Sequence, residues 1–563
     1  MTMGIQAIIS RLLPPRSRGI LLFLLVAGVA AYAAGLFVHV TRDASKYAAL
    51  AREIYDTGEF INLKIHGEPY VQKPPLLFWL SALSFHLFGI SDLAFKLPLL
   101  LFSFAGIFFT FKLGSALYDQ KTGVLAALLT ASSQISFLYN MDIHTDTLLQ
   151  SLVTFSLWQF YLFLKNKKTH HLVWGFTGLG LAMLTKGPVG AAVPATALLG
   201  CMLFSGQGKR VLDFRWYAGL LIPIILILPA LAGLYNQFGM EGIRFFFWDN
   251  NVGRIQGTLV SKDSNYLFYL SNLLYLYAPW TFLLLTALAL QWRALFLRRM
   301  DEPGWFLFWG IWVYLLIISL AHGKLPNYIY ILVPLFSVVT GRMLTALLRE
   351  PKQLLFRWLL PVQTGVAALT GILLLALLFW LFPFQRAWMG LLTVPFFLAA
   401  LHPLIQGGSP ATRLLIPSLA MAIALNLFIN SHVAPHIFND QASVKAAAIF
   451  NTQAGPKEQL GNYNYFSHEL FFYSKTPVRQ LVNDLELFGR MRTPGNWVLT
   501  TREVVDRMPP GEFPPPEITP LSHVWINNLT LEYLLPHTRV NALDTLFLLR
   551  STPVTPDQHI QSR

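Results

Sequence analysis

Charged side chains stand beside several of the long apolar runs of this 563-residue sequence, and they include both carboxylates and cations. An ionised group next to an apolar run is costly unless it is paired or faces water, so each is a candidate for function. Cations can hold a leaving phosphate, and a carboxylate can orient or deprotonate the attacking group. These residue types therefore suit transfer of a group from a phosphate-linked donor. The candidates are Asp43, Lys73, Asp142, Asp146, Lys186, Arg254, Lys262, Asp263 and Lys324.

The carboxylates also have structural interpretations. Asp43 could cap the helix predicted for residues 44–55, because an aspartate side chain accepts hydrogen bonds from the first turn of a helix. Asp146 could cap a later helix in the same way. If the turn at Asp142 enters that helix without a break, Asp142 and Asp146 share one helix face. Spacing alone leaves the capping and catalytic interpretations of Asp43 equally open.

The cations are placed at breaks between apolar runs. Lys73 precedes Pro74 and Pro75, and proline pre-sets the first turn of a helix, so this lysine is expected at a helix start. Its alternative role is that of an interfacial lysine whose stem lies along apolar surface. Lys186 and Lys324 each precede a Pro-containing break. Arg254 lies in a polar loop and could simply be solvated.

Several common catalytic motifs are absent. The sequence has no Walker A loop, no GxGxxG, no HExxH and no GxSxG, so nucleotide hydrolysis and serine-hydrolase chemistry have no support. The turn with Asp142, His144 and Asp146 could in principle bind a metal, but one such cluster is weak evidence. We predict neither a metal nor a cofactor.

The composition predicts that these residues belong to a membrane protein. Hydrophobic residues make up 54% of the chain and charged residues 12%, roughly half the usual charged share of a soluble domain. Runs long enough to cross a bilayer recur as far as Asn430, which predicts an α-helical polytopic membrane protein. We expect about 13 transmembrane helices, at residues 19–38, 93–115, 122–140, 147–164, 172–187, 189–204, 217–234, 266–290, 305–322, 327–345, 358–382, 388–404 and 414–431.

Lysine and arginine predict the orientation. Basic clusters at 165–168, 209–215, 293–299 and 342–357 all fall on one side, which is expected to be cytoplasmic. The N-terminus is then cytoplasmic and the candidate residues face the periplasm of a bacterial-type inner membrane. This loop bias also accounts for the net charge of +14, so nucleic acid is not expected as a partner.

The last part of the sequence differs from the rest. Residues 432–563 are polar, contain prolines and include no run long enough to span a membrane. Short β-prone runs at 497–500 and 545–549 accompany a helical stretch at 441–449, which predicts a small α/β module. We therefore predict two domains: a membrane domain of residues 1–431, whose outer loop 39–92 holds amphipathic helices, and a periplasmic domain of residues 432–563.

Five motifs in order resemble a known family. They are Arg42-Asp43 after the first span, Lys73-Pro74-Pro75, Asp146-Thr147-Leu148-Leu149, Leu184-Thr185-Lys186-Gly187-Pro188 and Gly323-Lys324-Leu325-Pro326-Asn327-Tyr328. Together they resemble bacterial members of the protein-O-mannosyltransferase superfamily, and most nearly the transferases that add aminoarabinose to lipid A. The resemblance covers nearly all of the predicted membrane domain.

The resemblance implies a GT-C fold and a polyprenyl-phosphate-linked sugar donor, with inversion at the anomeric carbon. It implies that Asp43 is the catalytic carboxylate and that Lys73 and Tyr328 hold the donor phosphate. Asp146 matches a further motif position and is expected to act in catalysis. Arg254, Lys186 and Lys324 are expected as additional ligands of the donor phosphate.

One departure from the family pattern concerns the acceptor. The aminoarabinose transferases usually have Glu before Lys-Pro-Pro, whereas this chain has Gln72. The expected acceptor is lipid A or another cell-envelope acceptor. A protein acceptor, as in O-mannosyltransferases, is the alternative within the superfamily. A lipid or sugar transporter is the alternative from another class, although transporters usually bind near the midplane between repeated halves.

Overall fold

A computed structural model describes residues 15–250, 253, 265–511, 513–526 and 529–552. Helices dominate as far as Phe438, and strands are concentrated in the part that follows. The helices of the first part are α1 Pro15–Ala34, α2 Arg42–Thr57, α3 Leu76–Phe88, α4 Asp92–Leu117, α5 Gln120–Ser132, α6 Gln134–Met141, α7 Asp146–Asn166, α8 Thr169–Lys186, α9 Val189–Phe204, α10 Phe214–Gly219, α11 Leu221–Arg244, α12 Phe268–Leu276, α13 Thr281–Phe296, α14 Glu302–Leu320, α15 Val333–Leu347, α16 Leu354–Ala376, α17 Val394–Ile405, α18 Pro410–Phe428 and α19 Ala434–Phe438.

Nine helical stretches of the described residues are long and apolar enough to cross a membrane. A tenth arises if α5 and α6, which are bent by 50°, count as one span. The chain is thus a multi-pass membrane protein. The nine stretches are Ser17–Phe37, Asp92–Leu117, Asp146–Asn166, Phe214–Asp249, Glu302–Leu320, Pro326–Leu347, Leu354–Leu381, Trp388–Ile405 and Pro410–Phe438.

Each of the thirteen predicted spans coincides with a helix or a pair of helices, but the number of thirteen is not confirmed. Helix α8 (Thr169–Lys186) has polar ends, and α9 (Val189–Phe204) has only 16 residues. The span predicted at 266–290 is interrupted between α12 and α13. These three segments fall short in length or in apolar character, so the total remains a prediction.

The outer loop predicted at 39–92 contains helices α2 and α3 and a short hairpin of strands β1 (Lys64–Ile65) and β2 (Glu68–Pro69). Helix α2 is amphipathic, and its apolar side packs against α3. With 16 and 13 residues, both helices are too short to span a bilayer. The assignment of this loop to the outer face of a membrane domain stays a prediction.

A buried lysine fixes the chain where it leaves the first span. The Nζ atom of Lys96 in α4 donates to the carbonyl oxygens of Gly35, at 3.0 Å, and Val38, at 2.7 Å. The Lys96 side chain is fully buried. These bonds satisfy carbonyls that the end of α1 leaves without helical partners, and they set the position from which the chain enters α2.

The part after Phe438 contains a five-stranded mixed sheet, in agreement with the predicted α/β module. Its order is β4-β3-β5-β7-β6, and the predicted runs at 497–500 and 545–549 lie in β5 and β7. Trp497 and Val498 of β5 belong to different apolar clusters, because successive side chains point to opposite faces. The elements are α20 Ala442–Gln453, β3 Gln459–Asn462, α21 His468–Tyr473, β4 Arg479–Gln480, α22 Asp484–Met491, β5 Asn496–Thr501, α23 Arg502–Asp506, β6 Glu517–His523, α24 Leu531–Leu534 and β7 Asp544–Arg550.

The sheet-containing part is attached to the outer loop through α21. Arg52 of α2 donates from Nη1 to the carbonyl oxygens of Phe472, at 2.7 Å, and Ser474. His66 Nε2 and His468 Nδ1 are 2.9 Å apart and share a proton in a hydrogen bond. Phe472 is buried in the same apolar cluster as the membrane helices. Helix α21 therefore holds the C-terminal part over the outer loop.

Candidate active site

Asp43 lies in the first turn of α2 but does not cap it. Thr41 occupies the N-cap position, and it makes no capping bond through its side chain. The Asp43 side chain is 54% exposed and lies 3.5 Å from Lys46 Nζ. The capping interpretation of Asp43 is therefore not supported, and its carboxylate is open to an adjoining pocket.

The turn that carries Asp43 is held by the C-terminal part. Arg42 has a left-handed φ of +58°, a conformation that is uncommon for a residue with a side chain. Its backbone N–H donates to Glu469 Oε1 at 2.8 Å, and its carbonyl oxygen accepts from Ser45 Oγ at 2.6 Å. Holding such a conformation costs on the order of 1–3 kcal/mol, so surrounding contacts must maintain it. Glu469 thus helps to set where Asp43 points.

Asp142 and Asp146 do not share a helix face. Helix α6 ends at Met141 and α7 begins only at Asp146, because Asp142 is extended. The carboxylate of Asp142 pairs with His144 Nε2 at 3.4 Å, whereas Asp146 contacts Lys186. The condition for a shared face, a turn that enters the helix without a break, is therefore not met. Asp142 thus lines a pocket, whereas Asp146 is buried and holds Lys186.

Asp146 is the centre of a buried polar network. Its Oδ1 atom accepts from Lys186 Nζ at 2.5 Å, and its Oδ2 atom accepts from Asn327 Nδ2 at 2.7 Å. Lys186 Nζ also lies 4.4 Å from the centre of the Tyr328 ring. Asn327 was not among the predicted site residues, although the Lys-Leu-Pro-Asn-Tyr motif contains it. The network links three chain segments that lie far apart in sequence.

Lys73, Lys186 and Tyr328 meet at one cavity of about 240 Å³, which we name the lysine pocket. Asn250 and Tyr314 also line it. Two ammonium groups with phenol and amide donors form a surface that favours a phosphate. The lysine pocket thus brings together three of the residues predicted for donor binding.

A second cavity, of about 360 Å³, lies beside Asp43, and we name it the carboxylate pocket. One wall carries Asp43, Asp142 and His144, and the opposite wall includes Glu469 and Trp525 from the C-terminal part. Burial alone would raise the pKa of Asp142, but the hydrogen bond and charge of His144 outweigh it and hold this pKa below its ordinary value. Asp142 is therefore ionised at neutral pH.

Gln72 is hydrogen-bonded to residues near each of the two pockets. Its Oε1 atom accepts from Lys46 Nζ at 3.3 Å, and the same ammonium faces Asp43. The carbonyl oxygen of Gln72 accepts from Asn250 Nδ2 at 3.2 Å. The residue that departs from the family pattern thus contacts one residue near Asp43 and one that lines the lysine pocket.

One predicted phosphate ligand, Lys324, does not line the lysine pocket as the described residues form it. Lys324 Nζ donates to the carbonyl oxygen of Asn265 at 2.9 Å and lies 5.5 Å from the centre of the Tyr266 ring. Its backbone neighbour Gly323 lines the pocket, but in the described structure the Lys324 side chain is directed towards the loop of Asn265. Arg254 lies outside the described residues, as do Lys262 and Asp263. Within the described residues, no three His, Cys, Asp or Glu side chains are grouped to hold a metal ion.

Comparison with known proteins shows similarity to glycosyltransferases, in sequence and in fold. The family model described as dolichyl-phosphate-mannose-protein mannosyltransferase matches residues 72–232, which include Lys73, Asp146 and Lys186. The crystal structure of ArnT from Cupriavidus metallidurans bound to undecaprenyl phosphate superposes with a TM-score of 0.73 at 17% identity. That superposition covers 95% of this chain and 98% of the other. The chain therefore has the fold of the GT-C glycosyltransferases.

Several proteins that are similar to this chain in sequence are aminoarabinose transferases. An undecaprenyl phosphate-alpha-4-amino-4-deoxy-L-arabinose arabinosyl transferase of Pseudomonas paraeruginosa is 27% identical over 58% of this chain and 59% of its own length. A transferase of the same description from Yersinia pestis is 30% identical over 51% and 52%. An uncharacterised protein of Aquifex aeolicus is 27% identical over 76% and 81%. The chain resembles aminoarabinose transferases in sequence, and the alignments span about half to three fifths of those enzymes.

Proposed function

We propose that this protein is an inverting glycosyltransferase that moves a sugar from a polyprenyl-phosphate donor to lipid A or another cell-envelope acceptor. The observation that carries this proposal is a pair of pockets that the turn of residues 142–146 connects. One is lined by Lys73 and Lys186 and the other by the open carboxylate of Asp43. The turn of residues 142–146 contributes to both sites, since Asp142 lines one pocket and Asp146 holds a lysine of the other.

The lysine pocket takes the donor phosphate. A polyprenyl phosphate is a competent leaving group, so cations that meet its growing negative charge are sufficient for its departure. Lys73, Lys186 and Tyr328 supply these donors, and Arg254 and Lys324 are further candidates. Each preorganised donor of this kind contributes about 10²–10³ in rate. The apolar residues Ile317, Ile318 and Ala321 beside the lysines suit the first part of the lipid chain.

Asp43 is the proposed catalytic base. Its exposed carboxylate can accept the proton of an acceptor group as that group attacks the anomeric carbon. Attack from the side opposite the phosphate inverts the configuration in a single displacement. Asp146, which the sequence suggested as a second catalytic residue, is buried and paired, so we assign it a positioning role towards Lys186.

The proposed setting is the bacterial inner membrane, with a cytoplasmic N-terminus and both pockets on the periplasmic side. The bias of lysine and arginine towards alternate loops supports this orientation. We further propose that residues 432–563 act as a periplasmic domain, which agrees with the separate apolar clusters of its sheet.

The test is transfer from a radiolabelled polyprenyl-phosphate sugar to an acceptor lipid fraction by the purified protein in nanodiscs. Asp43→Asn keeps the size of the side chain and removes its basicity. We expect transfer to fall by about 10²-fold or more, while donor binding and thermal stability stay unchanged.

Asp56→Asn is the matched control, because Asp56 lies near the other end of α2, is half exposed and pairs with Arg52. It should transfer at the wild-type rate. Wild-type turnover by Asp43→Asn would reject the assignment of the base. If the wild-type protein neither binds nor consumes any polyprenyl-phosphate sugar, the glycosyltransferase proposal itself fails.

A further inference from the structure

The wall of the carboxylate pocket opposite Asp43 has no role in the steps above. It is formed by the segment before α21 and by the residues at the end of β6, including Tyr465, Phe466, His523 and Trp525. The pocket volume of about 360 Å³ lies within the range of about 300–1,000 Å³ typical of small-molecule sites. This wall can therefore contact whatever molecule is presented to Asp43.

His523 is buried in this wall with its hydrogen-bonding capacity unused. Only 3% of the residue is exposed, and neither ring nitrogen has a hydrogen-bond partner among the described residues. The rings of Tyr465 and Trp525 hold it edge-on, with centroids at 5.5 and 4.6 Å. Burial lowers its pKa to about 4, so the ring is neutral at pH 7 and offers one donor and one acceptor. A buried polar atom without a partner is costly, which indicates a ligand that supplies the partner.

Two exposed aromatic rings line the same pocket as His523. Trp525 is 49% exposed and Phe466 is 52% exposed. The indole N–H of Trp525 donates to Asp544 Oδ2 at 3.2 Å, so the ring is fixed while about half of its surface stays exposed. The face of an aromatic ring is electron-rich, and the C–H surface of a pyranose ring is apolar and slightly electropositive. A fixed indole next to a polar imidazole therefore suits a sugar.

The charges of the pocket argue against an anionic sugar. Three carboxylates line it, those of Asp43, Asp142 and Glu469. Arg42 is the permanent cation of the lining, and His144 adds positive charge when protonated. A phosphate group would be repelled here, in contrast to the lysine pocket. A hydroxyl or an ammonium group would be accepted.

We infer that the carboxylate pocket binds an uncharged or amino-bearing sugar of the acceptor, with Trp525 packed on the ring and His523 hydrogen-bonded to a hydroxyl group. This inference rests on the proposed function and specifies its acceptor: the nucleophile is a sugar hydroxyl and not a phosphate. Trp525 and His523 are positioning residues that set acceptor affinity and do not touch the donor.

The transfer then balances without a co-reactant. The hydroxyl oxygen of the acceptor forms a bond to the anomeric carbon of the donor sugar, and its proton goes to the carboxylate of Asp43. The bond from the anomeric carbon to the phosphate oxygen breaks, and its electron pair leaves with the polyprenyl phosphate in the lysine pocket. Asp43 releases the proton to solvent after the product departs.

The test compares two synthetic short-chain glucosamine glycolipids that differ only in a phosphate monoester on the sugar. Each is offered to the full-length protein in nanodiscs, and two quantities are measured: transfer with a polyprenyl-phosphate donor, and direct binding by saturation-transfer NMR without the donor. The phosphate-free glycolipid should bind and serve as the better acceptor. Trp525→Ala and His523→Phe should each raise its KM and Kd about tenfold, with kcat and donor binding unchanged.

His523→Phe keeps the aromatic packing and removes the unsatisfied nitrogens, so it should melt at or above the wild-type temperature while acceptor affinity falls. His523→Gln, which restores an amide donor and acceptor, should recover part of that affinity. The control is Ile518→Ala, which alters a partly exposed residue on the same strand as His523 but outside the pocket. It should change neither KM nor Kd.

The inference is overturned if the phosphorylated glycolipid binds better, if a Ser/Thr peptide binds in place of either glycolipid, or if both variants leave KM and Kd unchanged. Binding that the variants weaken, without any transfer by the wild-type protein, would keep the sugar site and reject the glycosyltransferase proposal. Transfer that the variants do not affect would keep the glycosyltransferase proposal and reject the sugar site.

Discussion

The pair of Asp146 and Lys186 shows how two ionised side chains are tolerated inside an apolar helix bundle. The exposed fractions of the two side chains are 2% and 9%. Each group neutralises the other, and Asn327 satisfies a further oxygen of the carboxylate. Loss of one partner would leave a buried charge without compensation, which costs far more than loss of both.

We predict that Lys186→Met destabilises the protein by about 3–5 kcal/mol, the usual penalty for breaking a buried pair, and also abolishes donor binding. The double variant Asp146→Asn/Lys186→Met removes both charges and should recover most of the thermal stability. It should not recover donor binding, because the phosphate still lacks its cation. Thermal unfolding and donor-lipid binding measured on the same samples separate the two effects.

Recovery of donor binding in the double variant would show that Lys186 serves stability alone. Lys64→Met is the control, since Lys64 is an exposed lysine in the hairpin of the outer loop. It should alter neither unfolding nor binding.

The sequence located Asp43, Lys73 and Lys186 because a charge beside an apolar run is a local signal. It could not show that Asp146 would hold Lys186, since forty residues separate them and only the packing of α7 against α8 brings them together. His523 and Trp525 carry no local signal at all. They lie in a sheet-containing segment of ordinary composition, and only the docking of that segment over α2 places them opposite Asp43.

At the scale of elements, helix α21 and the outer loop are joined by a contact that depends on uncharged imidazoles. Burial lowers the pKa of His66 to about 4 and that of His468 to about 3. Lys46 and Asp43 are the nearest charged groups that influence His468. Both rings are therefore neutral in the docked structure, and one ring N–H donates to the unprotonated nitrogen of the other.

This contact predicts a pH dependence of stability. An exposed histidine in the unfolded chain titrates near pH 6.5, so between about pH 6.5 and 4 the unfolded state binds more protons than the folded state. Stability is complete above pH 6.5 and falls as the pH decreases through this window. The melting temperature and the protease resistance of the C-terminal part should both fall between pH 7 and 4.5.

The double variant His66→Asn/His468→Asn should flatten this profile, because asparagine does not titrate and tolerates the left-handed φ of 56° at residue 66. His523 also has a lowered pKa, so part of the slope should remain. An unchanged profile in the double variant would show that other groups control the acid response.

At the scale of the whole molecule, the fold was predicted better than the number of its spans. Long apolar helices such as Asp92–Leu117 and Leu354–Ala376 are evident from composition, and the structure has them. The three unconfirmed spans are the short or broken ones. For those, tertiary contacts decide whether a helix crosses the membrane, and hydropathy carries little information about such contacts.

The orientation of the whole chain remains a prediction that fusions can test. Reporter proteins fused after Lys168 and Arg299 should be active only in the cytoplasm, and a reporter after Arg563 only in the external compartment. The lysine and arginine clusters beside the first two positions give the reason. A cytoplasmic reporter signal from the C-terminus would contradict the proposed topology and would separate the C-terminal part from the outer face.

Two separate parts of the chain line the carboxylate pocket, and this arrangement has an evolutionary consequence. The part of the chain before residue 432 contributes Asp43 and the lysine pocket, whereas the opposite wall belongs to the sheet-containing part that follows it. Mutations in that sheet can change which acceptor binds without altering the residues that bind the donor. Relatives that use the same lipid-linked sugar could thus acquire different acceptors through mutations in the C-terminal segment alone. A chimaera that carries the C-terminal segment of a relative would then use the acceptor of that relative.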